Sequence, residues 1–341
     1  MQDDKIIAYV VSGGGGSPTL VTPVDVRTHV AGAPLVFAKG GQSIAITPDG
    51  RTAYVPIISL GAVIPIHTAT NTASAPIPVG PDPFAMAITP NGEMLYVGNT
   101  VTVTPIRTAT NTALPDIPVG AGPNRMVVTP DGHFVYTVNS ADDNVTPIRV
   151  ATNTPLPSIA VGPSPNAVAI TPDGKTLYVG NSGADTVTPI DVATNATLPP
   201  ITVGAGPAAI VVTPNGKTAY VSNGADDTVT PIDVATNTAL PAIPVGHSPF
   251  DMVVTPNGHT VYVVDANSST ITPIHVATNT ARPPIPAPAN PFTLGLTPDG
   301  RTLFVSGDPN LFTPIHIAND QPGAPIVVGT GPSAFAFAVI E

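Results

Sequence analysis

The tetrapeptide Thr-Pro-Asp/Asn-Gly begins at Thr47, Thr89, Thr129, Thr171, Thr213, Thr255 and Thr297, at intervals of 42, 40, 42, 42, 42 and 42 residues. A period this regular means that one supersecondary unit is copied, and that each copy buries its apolar surface against its neighbours. One unit, from Ala167, reads AVAITPDG, KTLYVGN, ADTVTPIDVATN and ATLPPITVG. Each piece is a short β-rich run bounded by Gly, Pro, Asn or Asp, and PDG or PNG between two runs supplies hairpin turn chemistry. The unit is therefore expected to be a four-stranded antiparallel meander.

Seven turns suggest seven units, but the chain ends add another. The segment from Lys5 already carries second, third and fourth strands (KIIAYVV, LVTPVDV, APLVFA), and SAFAFAVI from Ser333 is a first strand without a successor. Tyr9, Tyr54, Tyr96, Tyr136, Tyr178, Tyr220 and Tyr262 occupy one second-strand position, with Phe304 as the eighth, so all seven tyrosines of the chain fall in this register. An aromatic packed between units, with its hydroxyl at a polar edge, explains that register. The expectation is an all-β, eight-bladed propeller spanning residues 1–341 as one domain, closed by pairing the N-terminal strands with the C-terminal strand.

TPDGKTLYVGN at Thr171–Asn181, TPNGKTAYVSN at Thr213–Asn223 and the TPIDVATN segments that follow resemble the YVTN family of β-propeller repeats, known in bacterial and archaeal surface proteins. The resemblance covers essentially the whole chain and implies the fold, with little about activity. Streptogramin lyases and 6-phosphogluconolactonases are enzymes on similar propellers, but their functional residues find no position-by-position match here. Proline in the third strand, as in TPID at Thr188–Asp191, removes a ladder donor and predicts a break in pairing to the outermost strand. Proline in the fourth-strand segments, such as LPAIPVG at Leu240–Gly246, suits an exposed edge protected from intermolecular pairing.

Composition narrows the partners. With 22 acidic against 11 basic side chains, a formal charge of −11 and no Lys/Arg cluster, phosphate-backbone binding is excluded, so no nucleic-acid partner is expected. The absence of cysteine removes disulfides and thiolate metal sites. MQDDKIIAYVVSGGGG lacks a basic region followed by an apolar run, and no apolar segment reaches membrane-spanning length. The expected location is cytoplasmic as written, or secreted if a signal peptide was removed, with no membrane partner.

In propellers of this topology the loop leading into the first strand opens onto one mouth of the central channel, where sites usually sit. Five residues before each repeat threonine stand Gln42, Phe84, Asn124, Asn166, Ala208, Phe250 and Phe292, followed by Ser333 in the last unit. One position later stand Ser43, Ala85, Arg125, Ala167, Ala209, Asp251, Thr293 and Ala334. Ala208 and Ala209 show that the scaffold needs no distinctive side chain there. Phe84, Phe250 and Phe292 offer apolar faces, while Gln42, Asn124, Asn166, Arg125, Asp251 and Thr293 offer directional polarity. Arg125 suits a carboxylate or phosphate, and Asp251 with His247, in the same lead-in loop, suits proton transfer.

Two readings stay open. In the first, a small organic ligand binds at the channel mouth, with Arg125, Asp251 and His247 as candidate catalytic residues for lyase, isomerase or cyclase chemistry and no cofactor. In the second, the chain is a non-catalytic scaffold for a protein partner, engaged through the irregular loops SGGGGSPT, IISLGA and GDPN. A direct Arg125–Asp251 ion pair that merely plugs the channel is a further possibility. His67, His275 and His316 share a third-strand position too widely spaced for common metal ligation, so no metal is expected. The acidic pairs Asp142-Asp143 and Asp226-Asp227, with Asp185, lack a calcium-loop pattern and fit loop-capping carboxylates. No nucleophile elbow or phosphate loop is present.

Overall fold

A computed structural model describes residues 5–13 and 16–340. Residues 1–4, read above for a leader, and Gly14-Gly15 of SGGGGSPT lie outside the described residues. The chain is an eight-bladed all-β propeller. Blades 1 to 7 run over residues 45–78, 86–118, 123–160, 165–202, 207–244, 249–286 and 294–327, and blade 8 joins residues 332–340 to 5–39. The only helix among the described residues is a single turn at Ile58–Leu60, ended by Gly61 in the left-handed region, within the irregular IISLGA loop. No helix is long and apolar enough to cross a membrane.

Blade 4 shows how the repeat builds a sheet. Thr171 Oγ1 donates to Asp173 Oδ1 at 2.6 Å and accepts from Thr176 N at 3.1 Å, while Gly174, at φ 71°, closes the turn by donating to the Thr171 carbonyl. Pro at the second turn position and a residue free to adopt positive φ at the fourth are what this turn demands. The hairpin then pairs Pro165–Ile170 with Thr176–Asn181, which pairs with Thr186–Asp191, Tyr178 standing opposite Pro189. Pro189 has no N–H to return, so the fourth strand meets the third only at Ala196–Thr197 and Ile201–Thr202. The expected break is thus real, and the outer strand is two short pieces: four strands by place, five by segment.

The chain clusters into two compact units, one reaching Pro118 and resuming at Gly295, the other Val119–Leu294. In the first, Lys5–Ser12 pairs antiparallel with Pro332–Ile340, so the sheet of blade 8 is completed by the two ends of the chain. In the second, cores lie between successive blades: Tyr136, Val138 and Val145 pack with Leu177, Val179 and Ile190, and Tyr178 and Val187 pack with Ala219, Val221 and Ile232. The tyrosine register has the expected cause. Tyr136, Tyr178 and Tyr220 are buried, and their hydroxyls donate to Asn195, Asn237 and Asn279 of the next blade at 2.7, 2.5 and 2.5 Å. Tyr54 does the same to Asn111 in the first unit, at 2.7 Å. Burial of the rings pushes these phenols up to about 12.

Candidate functional site

The loops leading into the first strands are held by carboxylates from the loops between second and third strands. Asp142 accepts from Ala121 N and Asp226 from Ala205 N within their own blades, at 2.8 and 2.6 Å. Asp143, Asp185 and Asp227 reach the following blade, accepting from Ser164, Gly206 and Ser248 N at 2.8, 2.9 and 2.8 Å. These acidic residues cap loops, as their sequence pattern suggests, and they fix the backbone on which the variable side chains ride. Among the described residues no group of three His, Cys, Asp or Glu is gathered to hold a metal ion.

The first strands of the second unit each leave the ladder at the positions where the repeat varies. Register shifts lie between Pro123 and Arg125, Pro165 and Ala167, Pro207 and Ala209, and Pro249 and Met252. A β-bulge adds an unpaired residue and re-aims its side chain, a device common beside functional sites. Asn124, Asn166 and Ala208 are those residues, and in blade 6 both Phe250 and Asp251 are skipped.

Blade 6 and its successor bring four candidates together. Phe250 and Phe292 stack with ring centroids 5.1 Å apart and remain 37% and 47% exposed. Beside them Asp251 accepts from Thr293 Oγ1 at 2.9 Å, Leu294 N at 3.2 Å and Met252 N at 2.9 Å. Burial raises its pKa in spite of these three donors and of the Arg125 charge, each of which works in the opposite direction. An exposed aromatic pair flanking a carboxyl inclined to hold its proton is an amphipathic surface that packing does not require.

Arg125 is accessible to solvent, and its Nη1 donates to the carbonyl of neighbouring Asn124 at 3.0 Å. The protein around it lowers its pKa, with Asp251 opposing, yet no salt bridge joins the two side chains. The plug reading requires that direct pair. Asn124 donates to the Pro165 carbonyl at 3.3 Å, and Oδ1 of both Asn124 and Asn166 is buried with no hydrogen-bond partner. The same holds for Oδ1 of Asn99, Asn139, Asn181 and Asn223, at the ends of second strands.

His247 takes another place. Its Nδ1 lies 2.7 Å from Asp227 Oδ2, and its backbone N donates to Ser268 Oγ at 2.7 Å. The ring is exposed and serves the loop-capping carboxylate rather than Asp251. In the first unit, Gln42 is exposed and Phe84 is half-buried, its carbonyl accepting from Ser43 Oγ at 2.6 Å. His67 and His275 sit at exposed strand ends against Ser74 and Thr278. Two residues beside the site carry no signal in the variable pair of positions. Ser222 donates to the Phe250 carbonyl at 3.0 Å, and Asp265, opposite Pro249, is a buried carboxyl where blades 2 to 5 carry asparagine.

The family described as "Lactonase, 7-bladed beta-propeller" matches residues 190–283, little more than two of the repeats. No curated protein sequence matches the chain. Among solved structures, dihydro-heme d1 dehydrogenase NirN in complex with DHE superposes with a TM-score of 0.80 at 16% identity, covering 97% of this chain and 74% of that one. Apo AztD from Citrobacter koseri gives 0.72 at 13% identity over 99% of both chains. Kuenenia stuttgartiensis hydrazine synthase gives 0.67 at 22% identity, over 82% of this chain and 96% of that one. At these identities the likeness is one of fold, and it places the chain among the β-propellers.

Proposed function

We propose that the first-strand bulges of blades 3 to 6 bind a small organic molecule with an aromatic or otherwise apolar body and an oxygen-bearing head. The observation that carries the reading is the exposed Phe250–Phe292 stack set against the Asp251 carboxyl. Apolar faces with a few convergent polar groups are the usual make-up of a small-molecule site. Arg125 and the unpartnered Asn124 and Asn166 oxygens supply the remaining polarity. Gln42 and Phe84 hold the same repeat positions in the first unit. A carboxyl whose pKa burial raises is also the kind of group a general acid uses, so Asp251 is the residue on which proton transfer would rest. The YVTN-type repeat supplies the frame for this reading. Scaffolding of a protein partner is the rival, and it makes no use of the phenylalanine stack.

The test is binding of a panel of aromatic carboxylates and the matching amides, followed by equilibrium dialysis. Saturable binding that falls at least tenfold in both Phe250→Ala and Arg125→Gln, with unfolding midpoints unchanged, is the expected result. Affinities indifferent to both substitutions, or a panel without a single saturable binder, would overturn the reading.

A further inference from the structure

At one junction both members of the tyrosine–asparagine pair are replaced. The hydroxyls of Tyr54, Tyr136, Tyr178 and Tyr220 bond the asparagine of the next blade, Tyr9 donates instead to the Thr68 carbonyl at 2.8 Å, and blade 7 carries Asp320 at the asparagine position. Between blades 7 and 8 the tyrosine is Phe304 and the asparagine is His29. His29 keeps the left-handed backbone of the position it replaces, at φ 58° against 51° for Asn111. Its ring meets Phe304 edge to face, 6.2 Å between centroids. Phenylalanine has no proton to donate, so an asparagine oxygen here would lose its partner, whereas an imidazole edge packs on the ring. The polar lock is removed as a pair.

Beside the altered junction, within the first unit, lies a cavity of about 1270 Å³. Its walls carry Lys5, Arg27 and Arg301, three of the 11 basic residues in the chain, together with His29 and His316, whose rings are 6.5 Å apart. Two carboxylates also line it, but both are engaged by turns. Asp25 accepts from Arg27 N at 3.1 Å and Thr28 N at 2.9 Å and pairs with Lys5 at 3.7 Å. Asp299 accepts from Thr297 Oγ1 at 2.5 Å and Arg301 N at 3.0 Å. Neither guanidinium has a hydrogen bond or ion pair to the described residues. The equivalent repeat positions of blades 4 and 5 carry two lysines, Lys175 and Lys217, and three aspartates, Asp173, Asp191 and Asp233.

We propose that this cavity is a second ligand site, one that takes a small organic anion bearing carboxylate or phosphate groups. Two unpaired guanidiniums present planar forks that match an oxyanion bidentately, and two imidazoles on the same walls add donors. A chain of net charge −11 repels anions at long range, so such a ligand is held only where cations are concentrated. The site shares no residue with the Phe250–Phe292 surface and does not depend on that reading.

Calorimetric titration with citrate and with inorganic phosphate, at ionic strength held constant with chloride, tests it. Saturable binding of either probe, weakened at least tenfold by Arg27→Gln and by Arg301→Gln and unchanged by Arg107→Gln, is expected. Citrate alone would identify a carboxylate ligand, and phosphate alone a phosphorylated one. The paired exchange His29→Asn with Phe304→Tyr, which restores the repeat's own bond, should also weaken binding at least tenfold. No saturable binding of either probe, or equal weakening by Arg107→Gln, would overturn the proposal.

Discussion

Asp265 ends the second strand of blade 6 at a position where Asn99, Asn139, Asn181 and Asn223 stand in blades 2 to 5. Each asparagine donates to two side chains of the next strand, two threonines in three of the blades and Asn144 with Thr146 in blade 3: Asn223 Nδ2 donates to Thr228 and Thr230 at 3.0 and 2.8 Å. Asp265 reverses the polarity, its Oδ2 accepting from Thr270 and Thr272 at 3.0 and 2.6 Å. Its side chain is fully buried, and burial raises its pKa from 3.8 to about 6 despite these hydroxyls. The folded state therefore holds the proton more tightly than the unfolded chain. Below about pH 4 the group is neutral in both states and costs nothing. Between about pH 4 and 6 the unfolded chain has given up this proton while the folded state still holds it, so stability falls across that window and levels off above pH 6, where the folded state carries the buried charge. A shift from 3.8 to about 6, at about 1.36 kcal/mol per pH unit, amounts to about 3 kcal/mol. Asp265→Asn fits a geometry that four sister blades already use, so it should stabilise the protein by about 2–3 kcal/mol at pH 8 and hardly at all at pH 4. Denaturant unfolding of both proteins at pH 4, 5, 6, 7 and 8 measures the difference. A gain independent of pH, or a loss at pH 8, would show that the buried charge is not what the exchange relieves.

Two further outcomes follow from the same interactions. Tyr178→Phe removes the 2.5 Å bond to Asn237 and should cost about 1–2 kcal/mol in denaturant unfolding, with the ring packing retained. Deleting residues 332–341 leaves Lys5–Ser12 as an apolar edge whose natural partner is gone, so gel filtration should show a shift from the parent species to aggregates.

The fold was legible because the repeat states each of its parts many times. TP[DN]G specifies a turn with its own side-chain bonds, and the proline of TPID announces where the outer strand must part. The candidate site was legible only in outline. In blades 3 to 6 the first of the two variable positions is the bulged one, because a residue outside the ladder answers to no cross-strand partner, whereas the second, as at Arg125 opposite Val138, stays paired except in blade 6. His247 stood in the right loop, but its ring goes to Asp227, 20 residues earlier, which spacing along the chain does not reveal. Asp265 drew no attention because one atom separates it chemically from its sister asparagines, and only burial makes that atom matter.

Periodicity by itself determined the strands, their turns, the count of eight and the joining of the termini in one blade, since those follow from local propensity and repetition. Which polar groups are buried, which charges lack partners and which distant residues changed together were decided by tertiary structure alone. Phe304 and His29 illustrate the division: the first is visible as a gap in the tyrosine register, while the second gains meaning only once the fold sets its ring 6.2 Å from that phenylalanine. Desolvation and contact depend on what surrounds a side chain in space, and residues 275 positions apart in sequence carry no mark of becoming neighbours.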